Sequence, residues 1–244
     1  MEHLQNVSIS GAGRIGGGTY DQVKISGSGK VTGELECQEL HVSGSASLQS
    51  NVKAGSIGIS GSGHIHGNAS AGTIHISGSG HVDGDLMVTQ EVHISGSGKI
   101  GGLLKAETAS VSGSVHIGNG AECENFTVSG ACHVEGLLNV GTLEIKCKGN
   151  SQAEDIGAET VTVKKGQRNP LKIFGISLFG GDTGSLTAAT IEANAVKLEV
   201  TRANVVRGGL VEIGEGCEID RVEYTHSAIV SPNAKVGELL KIEA

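Results

Sequence analysis

The chain has 244 residues, a net charge of −8, 40 glycines but only 2 prolines, no tryptophan and 2% aromatic residues. So much glycine without proline excludes collagen and proline-rich linkers, and so few rings exclude an aromatic-lined pocket. The acidic balance points away from nucleic acid, which selects a basic surface.

In chain order, Met1–Gly11 lacks a charged start followed by an apolar run, so no secretory signal is expected. No later stretch is long and apolar enough to span a bilayer. The five cysteines include no CxxC pair, which suits reduced thiols and a cytoplasmic location.

From Val7 onward a repeat dominates. An apolar residue precedes each Ser-Gly at Ile9, Ile25, Val42, Ile59, Ile76, Ile94, Val111 and Val128, and Ile145 keeps the register. The spacings are 16, 17, 17, 17, 18, 17, 17 and 17 residues. Around each anchor the apolar residues fall in i, i+2 pairs: Ile57/Ile59, then Gly63/Ile65 or Val115/Ile117, then Leu35/Cys37 or Leu86/Val88. Each such pair is the inward side of a short strand. Three pairs separated by six, six and five residues predict an all-β, three-sided solenoid of parallel coils, about 17 residues each. Glycines at fixed offsets (Gly27, Gly44, Gly61, Gly78, Gly96, Gly113) mark the corners, where φ values that disfavour a Cβ are expected. A helix would not absorb glycine at this frequency.

The pattern weakens after Lys148 and resumes with Val196/Leu198, Val211/Ile213 and Cys217/Ile219. The expected organisation is a main solenoid over 1–163, an insertion over 164–185 and further coils over 186–244.

No P-loop, dinucleotide fingerprint or GxSxG is present. The Ser-Gly tracts recur once per coil and lead into strands, so corner chemistry explains them better than phosphate binding. The position five after the anchor reads Arg14, Lys30, Ser47, His64, His81, Lys99, His116 and His133, an outward ladder. Neighbouring imidazoles there are able to share a metal or an anion. Interleaved cations favour a solvated polar face instead. No metal or cofactor is expected, and His66, His75 and His93 carry less weight. Cys37, Cys123, Cys132 and Cys217 fall at inward offsets and read as small core residues, whereas Cys147 is expected near a corner with an exposed thiol.

Two surfaces stand out for association. In the insertion, Lys164, Lys165, Arg168 and Lys172 lie beside Ile173, Phe174 and Phe179 with no acid between Lys164 and Phe179. That composition suits docking on an anionic membrane or a partner, or a loop covering one side of the solenoid. At the ends, Val7 and Ile9, and Leu239, Leu240 and Ile242, leave no room for a capping helix. Open coil ends invite stacking of identical copies.

The repeated ISGSGxVxG units at Ile25–Gly33, Ile59–Gly67, Ile76–Gly84 and Ile94–Gly102 resemble the bactofilins, polymer-forming proteins of the bacterial cytoskeleton. The resemblance covers residues 7–145 well and the remainder loosely. It implies a right-handed β-helix that self-assembles without nucleotide, with itself or a paralogue as partner. It also implies a non-enzymatic scaffold at the inner face of the cell membrane, serving cell shape, motility or protein placement. Bactofilins carry one solenoid core with proline-rich tails, whereas this chain has an interrupted solenoid without them. Two other readings compete. Hexapeptide-repeat acyltransferases are three-sided β-helices too, with equal sides totalling eighteen residues. The most hexapeptide-like stretch is Val115–Cys123, which makes His116 the residue to test for that reading. A ligand-binding solenoid for ice or polysaccharide would need a regular Thr array or aromatic platforms.

Overall fold

The computed structural model describes residues 4–166, 172–173, 176–177 and 184–243, the two dipeptides by backbone only. The fold is a parallel β-solenoid of about 13 turns with roughly 17 residues per turn, 77% strand, and no helix among the described residues. The chain divides into two compact units, Met1–Asn125 with Val134–Gly136, and Phe126–His133 with Leu137–Ala244.

In the first unit each coil hydrogen-bonds to its equivalents in register, with local shifts where the spacing departs from seventeen. Ser62–Ile65 pairs in parallel with Ser45–Leu48 on one side and Ser79–Val82 on the other. Ala69–Ile76 lies between Val52–Ile59 and Leu86–Ile94. The inward pairs Gly63/Ile65, Ala69/Ala71 and Ile74/Ile76 are all buried, as the i, i+2 pattern predicts. The single eighteen-residue spacing is absorbed where Ala71 pairs with Val88 and Thr73 with Glu91, leaving Thr89 and Gln90 opposite Gly72.

Volume complementarity within each coil explains which residue follows the anchor. Where the anchor is isoleucine, the inward residue four later is glycine: Ile9/Gly13, Ile25/Gly29, Ile59/Gly63, Ile76/Gly80 and Ile94/Gly98. A Cβ at Gly63 would come within 2.9 Å of the Ile59 Cδ1 atom. Where the anchor is the smaller valine, as at Val42 and Val111, Ala46 and Val115 occupy the same place and are buried. Core volume is conserved by exchanging atoms between two neighbouring side chains.

The corner glycines serve a different purpose from the expected one. Gly27, Gly44, Gly61, Gly78, Gly96 and Gly113 do not adopt positive φ. A Cβ at Gly61 would collide with the carbonyl oxygen of Gly44, and one at Gly78 with that of Gly61. Close backbone approach between stacked coils, not an unusual dihedral, demands the missing Cβ. Left-handed φ is found at Gly33 (101°) and Gly136 (79°), at other corners. Beside the main-chain ladder runs a second one of side chains: Asn51 Oδ1 accepts from the Asn68 N–H, Asn68 Oδ1 from Asp85 N–H, and Asp85 Oδ1 from Leu103 N–H, at 2.8–2.9 Å. Corner amides that no strand pairs are thereby satisfied.

In the second unit, Ser151–Lys165 pairs along its length with Leu186–Leu198, from Ser151↔Leu186 to Val163↔Leu198. Residues 165 and 186, 21 apart in sequence, thus bound two strands that are direct neighbours in the stack. Between them, Lys172–Ile173 and Ile176–Ser177 form a short antiparallel pair. Leu186–Leu198 then pairs with Thr201–Ile213, which lies only 15 residues on (Leu186↔Thr201). Glu218–Val230 and Lys235–Lys241 complete the stack.

The expected exposure of Cys147 is corrected: it is fully buried. The strand Ala131–Cys147 does not turn at Ile145 but continues its alternation, so Leu143, Ile145 and Cys147 all point inward. Cys37, Cys123, Cys132 and Cys217 are buried as expected. Burial pushes the Cys147 thiol up to about 12, with Cys132 and Cys217 nearby adding to it, and pushes Cys37, Cys123 and Cys132 up to about 11. Such thiols are packing groups, not nucleophiles.

Candidate functional site

The outward ladder forms as the spacing predicts. Lys30 pairs with Ser47, Ser47 with His64, His64 with His81, and His81 with Lys99. Stacked strands hold successive side chains a strand spacing apart, so the His64 and His81 rings lie parallel with centroids 4.3 Å apart.

Two further residues turn this ladder into a cluster. His66 and Asp83 both stand seven residues after their anchors, Ile59 and Ile76. The same register that stacks His64 on His81 brings them together. The His64 Nε2–H donates to Asp83 Oδ1 at 2.7 Å, and the His66 Nδ1–H donates to Asp83 Oδ2 at 3.1 Å. His81 Nε2 lies 3.2 Å from Asp83 Oδ1. An ionised carboxylate only accepts, which assigns the proton to Nδ1 of a neutral His66 and leaves its Nε2 to accept from Ser47 Oγ at 3.2 Å. Ser47 Oγ accepts in turn from Gln49 Nε2 at 2.7 Å. The hydrogen bond from His64 holds the Asp83 carboxyl below the usual carboxylate range. Partial burial, with the adjacent His64, holds His81 below the ordinary imidazole value. The ligating atoms of His64, His66 and Asp83 lie within 4.8 Å of one another. Reading position seven of the repeat beside position five would have found this group in the sequence.

A second, smaller group stands further along the ladder, where the ligating atoms of His116, His133 and Glu135 also lie within 4.8 Å of one another. His116 Nε2 is 3.4 Å from Glu135 Oε1, and His75 stacks on His93 with centroids 4.7 Å apart.

Of the proposed docking residues, Lys164 and Lys165 are exposed at the end of their strand. Folding supplies acids that the local sequence lacks. Lys165 Nζ lies 3.7 Å from Glu215 Oε1, and the Lys165 N–H donates to Glu199 Oε2 at 2.8 Å. Lys172 and Ile173 belong to the short antiparallel pair, while Arg168, Phe174 and Phe179 lie outside the described residues. Among the residues expected at the coil ends, Val7 and Ile9 pair with Val23 and Ile25, and Ile9 is buried. Leu239 and Leu240 are 47% and 42% exposed, and Ile242 is half-buried. Among the described residues no helix is long and apolar enough to cross a membrane.

No protein-family model matches the chain, and no solved structure matches it. Two uncharacterized proteins of Bacillus subtilis (strain 168) are similar to parts of it. YhbF is 36% identical over 108 residues, which is 44% of this chain and 42% of YhbF. YhbE is 36% identical over 112 residues, 45% of this chain and 44% of YhbE. The matched stretch thus spans less than half the length of either curated relative.

Proposed function

We propose that this chain is a structural scaffold of the bactofilin kind, a β-solenoid without catalytic activity that associates with copies of itself independently of nucleotide. The observation that carries the reading is the strand Lys235–Lys241. It pairs with Glu218–Val230 through Glu218↔Lys235, Val222↔Leu239 and Tyr224↔Lys241, and with no other strand among the described residues. Leu239 stands in the same inward row as Val222, which is fully buried, yet is itself nearly half exposed. Inward-row positions that stand exposed in register with buried ones can seat a further coil. In the proposal a second copy supplies that coil, which gives linear assemblies where the contact does not close.

Negative-stain electron microscopy and sedimentation of the purified chain test this. Filaments or large oligomers without nucleotide are expected, and the double change Leu239→Glu, Leu240→Glu should disperse them while the circular dichroism of the coil persists. A wild-type protein that sediments as a monomer up to its solubility limit sinks the proposal. Discrete trimers with affinity for an acyl-coenzyme A would favour the acyltransferase reading instead.

A further inference from the structure

The geometry points to a site for a zinc-class divalent cation on the first unit, built by His64, His66 and Asp83 with His81 beside them, that clips two consecutive coils together. Three imidazoles and one carboxylate are the donor set that zinc, cobalt, nickel and copper select, and one that magnesium and calcium do not. The spacing of the donors suits a single ion. Metal–ligand bonds of about 2.0–2.1 Å in a tetrahedral site place neighbouring ligand atoms about 3.3 Å apart. The pairs His64 Nε2–Asp83 Oδ1, His66 Nδ1–Asp83 Oδ2 and His81 Nε2–Asp83 Oδ1 are 2.7, 3.1 and 3.2 Å apart. Opening these contacts by a few tenths of an ångström admits the ion, within the rotamer freedom of side chains that are a third to two-fifths exposed.

A second feature is independent of that spacing. Metal-bound histidines donate their other ring N–H to a supporting group. His66 has such a partner in place, since its Nε2 faces Ser47 Oγ at 3.2 Å and Ser47 is held by Gln49. When the ion takes Nδ1, the ring proton of neutral His66 moves to Nε2 and the Ser47 hydroxyl turns to accept it. His81 Nε2 lies 3.2 Å from Asp83 Oδ1 and offers a lone pair in the tautomer protonated at Nδ1, as does His64 once its proton shifts to Nδ1. Lys99, next in the ladder beyond His81, opposes a cation on that side. His64, His66 and Asp83 are therefore the principal ligands, and His81 is the weaker fourth.

The ligands come in pairs from adjacent coils, His64 and His66 from one and His81 and Asp83 from the next. The ion thus bridges the stacking direction, where otherwise main-chain hydrogen bonds and core packing join the coils. The pairing of two histidines on one coil with a histidine and a carboxylate on the next is confined to this place, whereas His116, His133 and Glu135 form a smaller cluster at the same offsets further along, with ligating atoms also within 4.8 Å of one another. Equivalent positions in the flanking coils carry Ser47 with Gln49 and Lys99 with Gly101.

Calorimetric titration of the full chain with Zn²⁺, and of a parallel sample with Co²⁺ followed by its visible absorption, tests the inference. One saturable equivalent is expected at this site, with cobalt bands characteristic of nitrogen and oxygen ligation and no competition from Mg²⁺. Asp83→Ala and His66→Ala should each remove that equivalent. Ser47→Ala should weaken it by about tenfold, the usual effect of losing a supporting partner. His75→Ala, at the stacked His75–His93 pair, should leave it unchanged. Because these side chains lie outside the core, circular dichroism should show every variant folded. Absence of saturable Zn²⁺ binding in the wild type, or a stoichiometry and affinity that Asp83→Ala and His66→Ala both leave unchanged, overturns the site.

Discussion

The two units make the same coil by different means. In the first, corners are glycines beneath which the preceding coil's carbonyl oxygen leaves no space for a Cβ, and every left-handed residue described there is glycine: Gly18, Gly33, Gly120 and Gly136. In the second, three successive strands run 13 residues each, and the left-handed positions are Gly216 and a β-branched residue, Val200 at φ 44°. The first unit repeats one short motif. The second lacks the repeated motif and keeps only scattered close-approach glycines, such as Gly184 over the Gly149 carbonyl and Gly237 over that of Asp220. Outward charges are matched across neighbouring strands there: Arg207 reaches Glu192 and Glu223, Lys197 reaches Glu212, and Glu218 lies between Arg202 and Lys235. A solenoid can therefore be specified by the steric needs of its corners or by pairing along its faces.

The largest test of that contrast is at a corner. Gly61→Val drives a side chain into the Gly44 carbonyl and should destabilise the first unit by about 3 kcal/mol, read as a lower urea midpoint. An unchanged midpoint would mean that the corner relaxes freely and that close approach is not what selects glycine.

A finer test uses the exchange of volume between anchor and inward glycine. Gly63→Ala alone should cost about 1–2 kcal/mol by overpacking Ile59. Combined with Ile59→Val it recreates the Val42/Ala46 arrangement, and the pair should show a favourable coupling of about 1 kcal/mol in a double-mutant cycle. Additive effects would refute the volume argument.

In the second unit the prediction reverses sign. Val200→Gly relieves a left-handed β-branched residue and, after the entropy cost of glycine, should raise stability by about 0.5–1 kcal/mol. Thermal unfolding would show this as a higher midpoint, and a lower one would mean that Val200 packing over Gly216 outweighs its strain.

The smallest effect concerns charge. Hydrogen bonds from Lys235 and then Arg202 hold the Glu218 carboxyl below its ordinary value of 4.5. A carboxyl with a depressed pKa in the fold stabilises it above the unfolded pKa, and that contribution disappears as pH falls through the folded value. Stability should therefore decline below about pH 4.5, and Glu218→Gln should flatten the decline. Open to solvent on one side, this ion pair should also weaken in high salt. Identical pH profiles for wild type and variant would discount it.

Much of this was legible before folding. The inward pairs Ile57/Ile59, Gly63/Ile65 and Ala69/Ala71 are buried where the spacing put them, and the Ser47–His64–His81–Lys99 ladder has the register that the anchors imply. Cys147 was misplaced because the Ser-Gly corner signal stops at Ile145 while the strand runs on. The partners of Lys165 were illegible, since Glu199 and Glu215 reach it from later coils. His66 and Asp83 were readable only by comparing the same offset in neighbouring repeats.

The sequence by itself determined the coil, its seventeen-residue period and the identity of its inward rows. A period-two apolar pattern with glycine at constant offsets admits few other arrangements. Only the tertiary structure decided what the corner glycines are for, and which outward residues meet. Both depend on the distance between stacked coils, which a linear spacing implies but does not measure. The same seventeen-residue period that buries Ile59 on Ile76 sets His66 beside Asp83, and that meeting exists only once the coils are stacked.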